Sequence, residues 1–191
     1  MSKKLLLVVP VVALCVLLGW ALIPARQSLE APAYAAWVAN PENGLLQTQQ
    51  QSGVAVSLLY KPLDYIVLHE ADATVLSNAA AFEARKAALA DLDYYELRIG
   101  SALTPEQTAH LASALAESIA LESDGHSSAP VLYHYEPAMG LRPHETVLLA
   151  FPASTAGTRS ITLNDALLGL HQLRFDFDQQ TINNVPNLSI L

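Results

Sequence analysis

Cysteine is nearly absent from this chain. The single one, Cys15, lies inside a hydrophobic run, so everything downstream has no disulfide, no thiol nucleophile and no cysteine metal site. A chain of this size can bury enough apolar surface to fold without disulfides, and the absence is therefore compatible with an oxidising compartment. Glycine is sparse too. The eight glycines are scattered, and none falls in GxGxxG, a Walker-type loop or GxSxG. Those motifs need glycine at fixed positions for backbone reasons, so nucleotide binding and the α/β-hydrolase class lose their usual support. Basic residues are the third shortage. Lys3, Lys4 and Arg26 lie at the N-terminus, which leaves seven basic residues against eighteen acidic ones from Gln27 onward. That surplus of negative charge repels phosphate backbones and argues against a nucleic-acid partner. No internal repeat of convincing period is present.

What the chain has instead is Leu5–Ile23, LLLVVPVVALCVLLGWALI, without a charge. At 1.5 Å per residue it spans about 28 Å, close to the hydrocarbon core of a bilayer. It exceeds the usual ~7–15 residues of a cleaved h-region, and transmembrane helices tolerate a proline such as Pro10. Lys3 and Lys4 against Arg26 place residues 1–4 in the cytoplasm and the remainder outside. Three fates are open for the run. It is an uncleaved anchor; or a signal cleaved after Gly19/Ala21 or after Ala33/Ala35; or the site of a lipid on Cys15, although Leu14 is larger than the residue normally found there. The expected location is the bacterial inner membrane with an extracytoplasmic domain. Secretion, periplasmic release or a lipoprotein at Cys15 are the alternatives.

Residues 24–52, rich in Ala, Pro, Gln and Asn, read as a tether or irregular lead-in, with QTQQQS polar and aperiodic and NPENG a turn. Ala35–Val38 is apolar enough to dock. The domain is expected over 53–191. Val54, Val56, Leu58 and Tyr60 alternate as a strand, and Tyr65–His69 reads as a second strand or the start of a helix. Asn78 caps a helix over AAAFEARKAAL, and Tyr95, Leu97 and Ile99 mark a strand. Thr104-Pro105-Glu106-Gln107 opens a helix carried to Asp124-Gly125 by Leu111, Leu115 and Ile119. Strands follow through Val131–Tyr135, Thr146–Phe151, Ile161–Leu163 and Leu173–Phe177, with a short edge strand after Pro186. Strands, two helices and more strands predict a single α+β domain with a mainly antiparallel sheet; a β-sandwich with a helical insertion at 78–123 is the alternative.

Histidines carry the remaining chemistry: His69, His110, His126, His134, His144 and His171. His69-Glu70-Ala71-Asp72 is a partial acid–base cluster that falls short of HExxH. If it ends a strand, Glu70 and Asp72 share a face and one carboxylate pKa rises. A solvated strand end leading into a loop is the plainer reading. His126, His134 and His144 flank one hairpin, but spacings of eight and ten fit no standard zinc motif. Arg174, Asp176 and Asp178 line one strand face, either as a solvated surface or as a weak cation site. The strand tyrosines, such as Tyr60, Tyr94 and Tyr133, suit a sheet surface or a groove.

The lysine-led leader, the polar lead-in, the phrase GVAVSLLYKP (Gly53–Pro62) and the closing strand before Pro186 together resemble small bacterial envelope proteins and lipoproteins. The resemblance implies an envelope location and carries no activity and no site residue. The expectation is a membrane-tethered binding or assembly module with no cofactor. Its partners are the lipid bilayer through 5–23 and an envelope protein or small ligand. The competing expectations are a hydrolase or metal-dependent enzyme using His69, Glu70 or Asp72, and a purely structural envelope component.

Overall fold

The alternation at Val54, Val56, Leu58 and Tyr60 becomes an interior strand of a sheet. In the computed structural model, which describes residues 27–100, 103–123, 125–154 and 157–190, Val54–Lys61 is strand β3. It pairs antiparallel on one side with β2 (Leu46–Gln51) and on the other with β4 (Leu92–Gly100). β8 (His144–Pro152) and β7 (Leu132–Glu136) complete a five-stranded sheet in the order β2-β3-β4-β8-β7. A second antiparallel sheet runs β10-β9-β5-β6, from β5 (Ile119–Ser123), β6 (His126–Ser128), β9 (Thr158–Asp165) and β10 (Leu170–Asp178). The two inner faces share one core. Val56, Leu58, Tyr95, Leu97 and Ile99 of the first sheet pack with Ile161, Leu163, Phe175 and Phe177 of the second. The rings of Tyr95 and Phe177 lie 5.5 Å apart.

The predicted α+β class holds, with mainly antiparallel sheets. The helices are more numerous than the two expected: α1 (Ala31–Ala39), α2 (Leu63–Glu70), α3 (Ala73–Leu76), α4 (Ala79–Leu89), α5 (Pro105–Ser113) and α6 (Gln179–Asn183). They are distributed along the chain instead of forming one insertion at 78–123. The predicted N-caps are in place: Asn78 accepts Ala81 N–H at 3.1 Å, and Thr104 and Gln107 close a reciprocal capping box. The long second helix is a correction. It stops at Ser113, a short 3-10 turn covers Leu115–Ser118, and Ile119 opens β5. Leu111 and Leu115 are both fully buried, while Ile119 and Leu121 alternate into the core as a strand.

A second correction concerns 24–52. Ser28–Leu29 forms β1, parallel to β11 (Asn187–Leu188). Tyr34 and Val38 of α1, and Leu45, are fully buried, and β2 is an edge strand. Among the described residues the packed body reaches back to Ser28, ahead of the expected start at 53. The β2–β3 hairpin turns through Ser52 and Gly53, both at positive φ (51° and 79°), the two-residue geometry that favours glycine at its second position. Gln47, Gln49 and Gln51 lie on one side of β2 and donate to the carbonyls of Asp176, Arg174 and His171 along β10. Gln51 Oε1 also accepts His171 N–H at 2.5 Å. Side-chain amides thus join the edges of the two sheets where no backbone ladder does.

Among the described residues no helix is long and apolar enough to cross a membrane. Leu5–Ile23 lies outside the described residues.

Candidate functional site

α2 and α3 each pack on α4 to form a helical cap, and α1 packs on α2. Local chemistry fixes each. Asp72 caps α3 by accepting Thr74 and Val75 N–H at 2.9 and 3.0 Å. Lys86 of α4 reaches Asp64 of α2 at 2.6 Å and Glu83 at 3.2 Å. Burial lowers the Lys86 pKa, but these two carboxylates outweigh it and hold the ammonium above its ordinary value.

A groove opens on each flank of this helical cap. The first, of about 260 Å³, lies between the start of α1, the cap and the C-terminal strand, and is lined by Ala31, Pro32, Leu68, Leu76, Phe82 and Leu188. Glu30 and Ser189 are the polar residues along it. Phe82 is 1% exposed, so the lining is continuous with packed side chains. The second groove, of about 210 Å³, runs between the cap and the outer face of the five-stranded sheet, past Lys61, Glu70, Tyr94, Leu132 and Leu148. Lys61 lies 3.6 Å from Glu96, which also holds Arg98 at 2.7 Å. Burial, then the Glu70 charge, raises the Tyr94 phenol. The first groove suits an apolar chain, the second a ligand with at least one polar group.

Of the predicted cluster, His69 and Glu70 sit on the last turn of α2, and Asp72 follows as the cap of α3. The helix removes the strand end that would place Glu70 and Asp72 side by side. His69 Nδ1–H donates to Tyr65 O at 2.8 Å with its ring 4.2 Å from that of Tyr65, and Glu70 lies 3.9 Å from Arg85. Glu70 alone lines a groove. The three histidines of the metal reading do not converge: His126 is on β6 of the four-stranded sheet, while His134, opposite Leu148 on β7, and His144, opposite Gly100 on β8, belong to the five-stranded one. Among the described residues no group of three or more His, Cys, Asp or Glu could hold a metal ion. Burial, then Arg98 and Arg142, lowers the His144 pKa. On the exposed face of β10, Arg174 bonds Asp176 at 2.9 Å, Glu122 at 3.2 Å and Ser160 at 2.7 Å, so one guanidinium is shared between the two carboxylates.

Two buried clusters escape the sequence reading. Asp93 of β4 lies 2.9 Å from Arg159 of β9, both nearly inaccessible, which ties one sheet to the other. Asp93 also accepts Tyr60 O–H at 3.4 Å and Ser154 N–H at 3.1 Å. Burial outweighs these partners and raises the Asp93 carboxyl. The Arg159 Nε–H does not point along the line to Asp93, so that contact is ionic more than directional. The second cluster is His110 Nε2 at 2.6 Å and Ser118 Oγ at 2.8 Å on one oxygen of buried Asp165, with Leu168 N–H on the other at 2.9 Å. Ser118 donates to the carboxylate and not to the imidazole, so the order of a Ser–His–Asp relay is absent. Residues 110, 118 and 165 are too far apart in sequence for any spacing signal.

No protein-family model matches the chain, and no curated protein matches it. A crystal structure of a novel protein of unknown function from Burkholderia pseudomallei aligns with 83% of this chain and 94% of its own, at 14% identity and a TM-score of 0.42. A likeness of that degree carries nothing about the function of this chain.

Proposed function

We propose that the protein is a membrane-tethered extracytoplasmic binding or assembly module of the bacterial envelope. The observation that carries this reading is the uncharged run Leu5–Ile23, followed within a few residues by an acidic, packed α+β body with a groove on each side of its helical cap. Support for the enzyme alternative weakens because Asp72 serves as a helix cap, Glu70 faces Arg85, and His69 is held by Tyr65. The test is fractionation of intact cells with alkaline extraction and protease protection. The tethered module stays in the membrane pellet and is digested only from the extracytoplasmic side. Release into the soluble fraction at alkaline pH, or protection on that side, overturns the reading. Cross-linking in intact cells then separates a ligand binder from a purely structural component, which yields fixed protein partners.

A further inference from the structure

We infer that the apolar groove between the start of α1, the helical cap and β11 seats an acyl chain of a zwitterionic phospholipid from the bilayer. This rests on the membrane-tethered reading above. The position of the groove carries the argument. Gln27 O accepts Asn187 N–H at 2.9 Å and Leu29 O accepts Ser189 N–H at 2.7 Å, on either side of the parallel β1–β11 pair. Two walls of the groove, Glu30–Pro32 and Leu188–Ile190, continue directly from these clamped segments. Only Pro24–Arg26 separate the clamp from the end of the hydrophobic run, and three residues reach at most ~10 Å. On the tethered reading, chain length alone therefore keeps the groove close to the membrane interface.

The chemistry of the lining selects the ligand. Leu68, Leu76, Phe82 and Leu188 offer apolar surface, and about 260 Å³ falls below the ~300–1,000 Å³ of drug-sized sites, which suits a segment of one slender chain. Among the described residues no cation lines the groove to bind an anionic headgroup. The excess of eighteen acidic over seven basic residues from Gln27 onward repels anionic lipid, which favours a zwitterionic one.

The experiment uses the full chain reconstituted into phosphatidylethanolamine vesicles carrying a trace of phosphatidylcholine with a photoreactive group at the acyl terminus. Flotation reports the tether, and mass spectrometry of the labelled peptides reports the groove. Label on 28–34, 73–85 and 187–190 is expected, falling about tenfold in Ala31→Trp, the size of effect an overpacked chain-width groove produces. Label confined to 5–23 in floating protein overturns the inference and leaves the tether standing, as does unchanged groove label in a folded Ala31→Trp. Protein that fails to float overturns the tether and the inference with it. Leu188→Trp replaces Ala31→Trp if the latter does not fold, and the wild-type peptide map decides by itself if neither does.

Discussion

At the scale of single residues, the two buried carboxylates behave in opposite ways because their neighbours differ. Asp93 has one cation that is poorly aligned, and burial prevails; Asp165 has three well-placed donors, and they prevail. Burial would push the Asp165 carboxyl up, yet His110, Leu168 N–H and Ser118 together bring it below the ordinary value. A depressed folded pKa adds stability that is full above the unfolded value of about 3.9 and disappears as pH falls through the folded one. Thermal melts of the full chain in micelles from pH 7 to 2.5 therefore show an acid-side loss that Asp165→Asn removes. An unchanged profile in that variant refutes the assignment. Asp93→Asn leaves Arg159 buried beside a neutral amide and costs about 3–5 kcal/mol in denaturant unfolding, whereas Asp93→Leu with Arg159→Met recovers most of it. If the double variant is as unstable as the single one, the ion pair is not what Asp93 supplies.

Among the elements, the seam between β2 and β10 departs most from ordinary sheet construction. An edge strand normally leaves its backbone groups to solvent or to another chain. Here Gln47, Gln49 and Gln51 occupy the free edge of β10 with primary amides, which mimic a strand without continuing the ladder. Gln51→Ala removes the partner of His171 N–H, so hydrogen exchange of that amide quickens by roughly two- to tenfold while amides in β3 and β4 stay protected. Thr104→Ala breaks the capping box of α5 at a cost of about 1 kcal/mol, read from the unfolding midpoint. These two elements also mark how far the sequence could be read. Thr104 to Gln107 and the alternation at Leu173, Phe175 and Phe177 are legible because one local rule governs each. The glutamine strand is not, since its period of two is written entirely in polar residues and its meaning lies about 120 positions away. Leu111, Leu115 and Ile119 mislead because spacing by four continues by coincidence past the point where Ile119 and Leu121 turn into core strand positions. The grooves are invisible for the same reason as the seam: their walls are drawn from residues 30 to 190.

For the whole molecule, the fold bears on which of the fates proposed for Leu5–Ile23 leaves it intact. Two pairs of small residues offer cleavage points, after Ala21 and after Ala35. They differ sharply in consequence. A chain starting at Leu22 keeps every described element. One starting at Ala36 loses β1, the first half of α1, the clamp on Asn187 and Ser189, and Tyr34, whose side chain is fully buried. Loss of a buried aromatic alone costs about 3–5 kcal/mol, a large share of the ~5–15 kcal/mol that holds an ordinary domain together. Processing at Ala35 thus strips away a large share of the stability, and the proposed fates that leave the fold whole are an intact N-terminus, a start at Leu22, or a lipidated Cys15. N-terminal sequencing and intact mass of protein extracted from membranes distinguish the three, with the anchor reading expecting an uncleaved hydrophobic run. A purified chain beginning at Ala36 that melted cooperatively, at the temperature of one beginning at Leu22, would show that β1 and the first half of α1 contribute nothing to the core, and the clamp beside the groove would lose its physical basis.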